Sequence, residues 1–316
     1  MTSMAESTTE AAPPAPVEVE HASKWFGNVV AVNDISFELR AGITGLLGPN
    51  GAGKSTLLNM IAGFLKPSAG AVRVGGEASW LHPSIYHRVG LVMERETVYG
   101  HLSGYDFVLL NARLHGLDDP QAATRHAIEL VEMTEAQSRR TGEYSKGMRQ
   151  RIKIAASIVH DPDILLLDEP FSGADPRQRL HMTDLLRQMA AAGRTILFSS
   201  HILEEMERLG EDVLVIVGGR LAASGDFRAI RRLMTDRPHA FSIRASNVRG
   251  LAGALLAEES VHAVEVEDDR LIARTRAFGA FTSALPRIAQ ASAISIYEVA
   301  PLDESLESVF SYLVAR

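Results

Sequence analysis

Three groups of residues in this chain could do chemistry together. The first is Gly48-Pro49-Asn50-Gly51-Ala52-Gly53-Lys54-Ser55-Thr56, a complete G-x-x-x-x-G-K-[ST] loop. Its glycines let backbone N–H groups turn inward around a polyphosphate, and a following helix adds partial positive charge at its N-terminus. In such a loop Lys54 reaches the β- and γ-phosphates and the Ser55 hydroxyl ligates Mg²⁺. The second group is Asp168-Glu169, two carboxylates directly after the apolar run Ile164-Leu-Leu-Leu167. Burying unpaired charge is costly, so two acids after four apolar residues point to a site rather than to stability. The third is His201, which closes the run Thr195 to Ser200. A lone histidine is more often structural, and only its place at a strand end beside the other two groups reverses that reading.

The elements that must position these groups can be read from the apolar pattern. Ile43 to Leu47 reads as the strand before the phosphate loop and Thr56 to Ala62 as the helix after it. Ile164 to Asp168 and Thr195 to Ser199 read as buried parallel strands, with a helix opened by Asp175-Pro176 and ended by Gly193 between them. Strand–helix–strand order with apolar strands predicts a mainly parallel, doubly wound sheet whose ligand site lies at the carboxyl ends of the strands. The three groups then converge in one crevice.

Around that frame, Val17 to His21 and Ile35 to Leu39 alternate as half-buried strands of an antiparallel layer. Between them Lys24-Trp25-Phe26-Gly27 reads as a loop whose aromatics could stack on an adenine face, or pack as a strand end. Ala71 to Val74 and Arg88 to Met93 read as strands, with a Gly75-Gly76 turn. Ser103 with Asp106 opens a helix to about His115, and Asp119-Pro120 opens another to about Met133. Tyr144 to Gln150 leads into a helical stretch ending before Asp161-Pro162. Past Gly225 the pattern changes to β-α-β-β-α-β over roughly 80 residues, a ferredoxin-like arrangement without a catalytic constellation. Its hairpin turn is Asp268-Asp269, and a last helix carries Leu306, Val309, Phe310 and Leu313 on one face. The cluster Arg228, Arg231 and Arg232 reads as a solvated helix face.

The chain has 316 residues, enough for about two domains, and 46% of them are hydrophobic. The expected division is a disordered tail over 1–16, a nucleotide-binding domain over 17–236 with a helical insert at about 95–160, and an accessory module over 237–316. The tail lacks the basic start and apolar stretch of a signal peptide. A net charge of −7 argues against nucleic acid as the main partner. With no cysteine, thiolate catalysis and Cys-ligated metal are excluded. No apolar run approaches the roughly 18–20 residues of a membrane helix.

Taken in order, these motifs resemble the ATP-binding subunit of an ABC transporter, from about Val17 to Asp226. Phe26 stands where that family has an adenine-stacking tyrosine. Gly48 to Thr56 matches Walker A, and Ser145-Lys146-Gly147-Met148-Arg149-Gln150 takes the signature position, keeping the serine and one glycine of Ser-Gly-Gly-Gln. Ile164 to Pro170 matches Walker B with its glutamate, Ser172 to Asp175 the D-loop, and His201 the switch histidine. The Tyr144-Ser-Lys-Gly-Met-Arg-Gln-Arg151 signature and the short C-terminal extension resemble those of bacterial exporter ATPases of the daunorubicin-resistance type. Where the family has its Q-loop glutamine this chain has Glu94, an acid at a point where related exporters often carry one.

The resemblance implies a P-loop NTPase fold, α/β with a mainly parallel sheet, an antiparallel β layer and a helical insert, with the α+β module after it. It implies ATP and Mg²⁺ as ligands. Gly48, Pro49, Asn50, Gly51, Ala52, Gly53, Lys54, Ser55 and Thr56 would hold the phosphates and Phe26 the base. Ser55, Asp168 and Glu94 would serve the metal, while Glu169 would orient the attacking water, steadied by His201. Ser145 and Gly147 would complete the site of a second, head-to-tail subunit. Hydrolysis would drive an integral membrane permease from the cytoplasmic face of the membrane, in the direction of export. A soluble ATPase of the same superfamily would want tandem ATPase units, a coiled-coil insertion or a basic face. A nucleotide-binding regulator would have no use for Glu169 and His201.

Overall fold

The computed structural model of the protein describes residues 15–94, 98–209, 212–226, 239–267 and 269–302. Residues 1–14 of the expected tail, the arginine cluster, Asp268 of the turn and the last helix lie outside them. Chain contacts divide the molecule into two compact units between Ser224 and Gly225, and the expected boundary at 236/237 falls outside the described residues.

The first unit holds two sheets. A six-stranded sheet contains β3 (Gly42–Leu47), β6 (Val89–Val92), β7 (Ile164–Asp168), β8 (Thr195–Ser200), β9 (Asp212–Val217) and β10 (Arg220–Asp226), in the order β10-β9-β3-β8-β7-β6. The pairs β3/β8, β3/β9, β7/β8 and β6/β7 are parallel, as their near-continuous apolar sequences require. β7 and β8 are buried at every residue, which leaves no solvated face. A four-stranded antiparallel layer combines β1 (Val17–Phe26), β2 (Val29–Leu39), β4 (Ala69–Val74) and β5 (Glu77–Ala78), in the order β2-β1-β4-β5. Packing of this layer begins at Ala15, which is buried, and the Pro16 carbonyl accepts from the Gly75 N–H.

Helix α1 (Lys54–Ile61) joins the two sheets. Its Leu57, Leu58, Met60 and Ile61 pack with Val17, Val19, Ile35, Val72 and Val74 of the antiparallel layer and with Leu46, Leu166, Leu197 and Ile216 of the parallel sheet. The other helices start where the sequence supplies a cap. Ser103 accepts from the Asp106 N–H to open α3 (Gly104–Leu114), and Asp119 accepts from the Ala122 N–H to open α4 (Pro120–Leu130). Ser145 does the same for α5 (Lys146–Ile158), and Asp175 for α6 (Pro176–Ala191). α7 spans Leu203–Leu209.

Three local expectations are corrected and one strand is added. Lys24, Trp25 and Phe26 are not loop but the end of β1, and the turn is Gly27-Asn28. Register shifts between Val19 and Trp25 break the two-residue period there, which hides the strand from the pattern. Arg88 ends a short helix α2 (Pro83–Arg88) rather than opening β6, and only Ile85 of that helix is buried. α4 stops at Leu130, short of Met133. The two-residue strand β5 follows the Gly75-Gly76 turn.

In the second unit β11 (His239–Ala245), α8 (Val248–Leu256), β12 (Val261–Glu267), β13 (Arg270–Thr275), α9 (Phe278–Ala291) and β14 (Ile296–Pro301) follow the β-α-β-β-α-β order. The strands form one antiparallel sheet in the order β12-β13-β11-β14. Leu251, Leu255, Phe281 and Leu285 of the helices cover Phe241, Ile243 and Leu271 of the sheet, giving this unit its own core.

Candidate functional site

The register of the parallel sheet sets the site. β8 lies between β3 and β7, with Ser200 beside Leu47 and Ser199 beside Asp168. The phosphate loop leaves β3, the two carboxylates end β7, and His201 follows β8, so all three emerge at the same edge. Only glycine fits at residue 53. Its φ is +102°, and a Cβ there would stand 2.3 Å from the Ala31 carbonyl oxygen. The loop is thereby seated on β2. The Gly219 N–H reaches the Ala52 carbonyl, and the Asn33 N–H reaches the Gly219 carbonyl, closing it from a third side.

The cleft over this loop has a volume of about 320 Å³ and is lined by Pro49 to Thr56 together with Ala31, Glu94, Asp168 and Glu169. Lys54 is buried, its ammonium donating to the Gly48 carbonyl at 2.6 Å and the Pro49 carbonyl at 3.3 Å. Burial pushes its pKa down, while Glu169, Asp168 and Glu94 pull it back up. An ammonium held only by carbonyl oxygens among three acids is poised to take an anion in their place.

Ser55 and Asp168, 113 residues apart in sequence, meet at 2.6 Å between the hydroxyl and Oδ2. Among the described residues no group of three or more His, Cys, Asp or Glu could hold a metal ion. The donor set nonetheless fits Mg²⁺. That ion takes one or two protein oxygens and fills its octahedron with phosphate oxygens and water. A hydroxyl and a carboxylate oxygen side by side at the phosphate loop are such a pair, and Glu94 lines the same cleft.

Glu169 is held in an unusual way. Its φ is +50°, the left-handed region, which costs a non-glycine residue on the order of 1 kcal/mol or more. Its N–H donates to Ser199 Oγ at 3.0 Å, and its carbonyl accepts from the Ser172 N–H. Ser199 in turn donates to Asp168 Oδ1 at 2.5 Å. One hydroxyl therefore fixes both the side chain of Asp168 and the backbone of Glu169. The Glu169 carboxylate, 10% exposed, lies 2.9 Å from His201 Nδ1, whose own side chain is 57% exposed. A carboxylate steadied by an imidazole at the mouth of a phosphate cleft can orient a water for attack on phosphorus.

Other expected residues lie apart from this cleft. Phe26 is not among its lining residues. It is half-exposed, with the Lys24 ammonium 5.2 Å from its ring centroid, so it is not a packed strand end. Ser145 and Gly147 do not line the cleft either. They open α5, and Gly147 meets the loop after Glu169, where a Cβ would lie 2.7 Å from the Gly173 carbonyl oxygen. Ser199 and Ala31 were not singled out by the sequence. A serine closing an otherwise apolar strand, two residues before His201, is the signal that could have found the first. Ala31 carries none.

Comparison with known proteins places these features in company. The family profile described as ABC transporter matches residues 32–172. The Nod factor export ATP-binding protein I of Burkholderia lata is 37% identical over 220 residues, covering 67% of this chain and 71% of that protein. The daunorubicin/doxorubicin resistance ATP-binding protein DrrA of Streptomyces peucetius is 34% identical over 252 residues, covering 78% and 76%. Among solved structures, an ATP binding subunit of an ABC transporter superposes with a TM-score of 0.65 at 28% identity, over 69% of this chain and 93% of that one. A dimeric bacterial ABC transporter cassette, with a TM-score of 0.63 at 19% identity over 67% and 99%, shares the fold.

Proposed function

Because the chain belongs to the family of ABC transporter ATP-binding proteins, we propose that two copies close head to tail around two Mg-ATP and drive export through a separate membrane permease. The chain is an ATPase, converting ATP and water to ADP and phosphate as the motor subunit of a transporter. The observation that carries the rest is that Ser55, Asp168 and Glu169 line one cleft over the phosphate loop, with His201 against the Glu169 carboxylate. Lys54 and the backbone N–H groups of the loop from Asn50 to Thr56 bind the phosphates, with Gly48 and Pro49 shaping its start. Ser55 Oγ, Asp168 and Glu94 serve Mg²⁺, which when bound offsets the charge on the β- and γ-phosphate oxygens. Glu169 orients the water and His201 holds that carboxylate in place.

Phe26 offers its exposed ring to the base. Ser145 and Gly147, standing away from this chain's own cleft, serve the γ-phosphate held by the second copy. Export is supported by the Nod factor and daunorubicin relatives. The permease would hold the subunit at the cytoplasmic face of the membrane; among the described residues no helix is long and apolar enough to cross it.

Size-exclusion chromatography of variants tests the dimer. Glu169→Gln should bind Mg-ATP, hydrolyse it slowly and accumulate as a dimer, whereas Lys54→Ala should lose both binding and closure. A Glu169→Gln chain that binds ATP yet stays monomeric at high protein and ATP, alone and with the permease, rejects the sandwich.

A further inference from the structure

The switch histidine poses a problem of support. The His201 side chain is 57% exposed, and among the described residues its ring makes one hydrogen bond, to Glu169. Its position must therefore come from its backbone, in the turn between β8 and α7. That turn is braced from beneath. Ser200 Oγ accepts from the Ile202 N–H at 3.0 Å and donates to Glu205 Oε2 at 2.5 Å. The hydroxyl thus spans the residue between Ser200 and Ile202, which is His201 itself, and ties the turn to the first part of α7.

Glu205 is tied onward. Its carboxylate is 10% exposed, and its other oxygen lies 3.5 Å from the Arg179 guanidinium on α6. Arg179 also donates from Nε to the carbonyl of Ala174, at 3.3 Å, in the loop that follows Glu169. Phe171, Thr183 and Leu209 surround the pair, around a void of about 40 Å³. α7 also packs through Met206, whose sulfur would stand 2.1 Å from a Cβ at Gly45 on the sheet. A carboxylate placed here costs desolvation that an apolar residue would avoid. Burial accordingly raises the Glu205 pKa, with the Ser200 hydroxyl and Arg179 acting against that rise.

We propose that Ser200 and Glu205, anchored by Arg179 to the loop after Glu169, are positioning residues that hold His201 against Glu169 for hydrolysis. Neither lines the nucleotide cleft, and both act through the histidine. The pair forms a strut between the loop that follows one reacting residue and the turn that carries the other. A displacement of the Ala174 loop would be felt at His201 through three side chains. The inference rests on the assignment of Glu169 and His201 to hydrolysis.

Steady-state ATPase rates and nucleotide affinity of the full-length chain test it, using Ser200→Ala, Glu205→Ala, Glu205→Gln and His201→Ala, and the first two again in the His201→Ala background. Ser200→Ala and Glu205→Ala should each lower kcat about 10-fold, since small misplacements of reacting groups have effects of that order or larger. Affinity for ATP should stay unchanged. Glu205→Gln should recover most of the rate, because its amide oxygen still accepts from Ser200. With His201 already replaced, neither substitution should lower the residual rate further. Full activity in both single variants overturns the strut, as does an equal loss with and without His201, which would mark a purely structural role. Should Glu205→Ala fail to fold, Ser200→Ala decides the matter alone. A fully active His201→Ala would instead reject the assignment of the site.

Discussion

At the scale of single residues, the site works by giving each polar group two duties. The Ser199 hydroxyl holds Asp168 on one side and the Glu169 N–H on the other. Ser199→Ala would leave a buried N–H unpaired at a residue already in the left-handed region, a cost of about 1–3 kcal/mol. We expect lower stability by that amount in urea titration and a kcat loss larger than any change in ATP affinity. Glu94 raises a different question, since a glutamate offers Mg²⁺ a full charge where a glutamine offers a neutral oxygen. It shares its cleft with Asp168 and Glu169, and like charges crowd there until a metal arrives. Glu94→Gln should keep ATP binding but need more Mg²⁺ for half-maximal rate, and Glu94→Ala should lose turnover more than nucleotide affinity. Magnesium titrations at fixed ATP check both. Identical curves in all three chains would reduce Glu94 to a solvated acid.

At the scale of elements, much of the frame could be read from the sequence because polar residues interrupt apolar runs in telling places. Asp168-Glu169 and His201 stood out at strand ends, and Ser103, Asp119 and Asp175 announced the helices they cap. Ser200 and Glu205 did not stand out, because their partners come from the far side of a turn and from another helix. β1 was cut short for a local reason. Its bulges leave Trp25 and Phe26 exposed next to each other, which reads as a loop. The α3–α5 region holds another contact that no pattern signals, the parallel stack of His115 on His160 with centroids 3.7 Å apart. Burial, with His115 alongside, pushes His160 down to about 4. A histidine whose folded pKa lies below its unfolded value favours the neutral ring. Its contribution is intact above about pH 6.5 and is lost as pH falls towards 4, by up to about 3 kcal/mol. His160→Phe keeps a stacking ring without a proton to take up. Its melting temperature should fall less between pH 7 and pH 5 than that of the natural chain, and an equal fall would clear His160 of the effect.

At the scale of the whole molecule, two units each carry a core. The described residues that line the nucleotide cleft all belong to the first. A chain ending at Asp236 should therefore bind ATP with unchanged affinity once its solubility is established, and the second unit would then serve dimer stability or regulation. Loss of binding in a soluble truncated chain would instead assign the second unit to the site. The seating of the phosphate loop has a consequence in time. Ala31 beneath Gly53, and Gly219 bonded to Ala52, hold the loop backbone, so what must let go for Mg-ATP is side chains: Lys54 from Gly48 and Pro49, and Ser55 from Asp168. Side-chain rotation is a smaller and faster motion than a loop rearrangement. Capture of nucleotide should then be a single bimolecular event. In stopped flow, the observed rate should rise in a straight line with nucleotide concentration, with neither a plateau nor a lag.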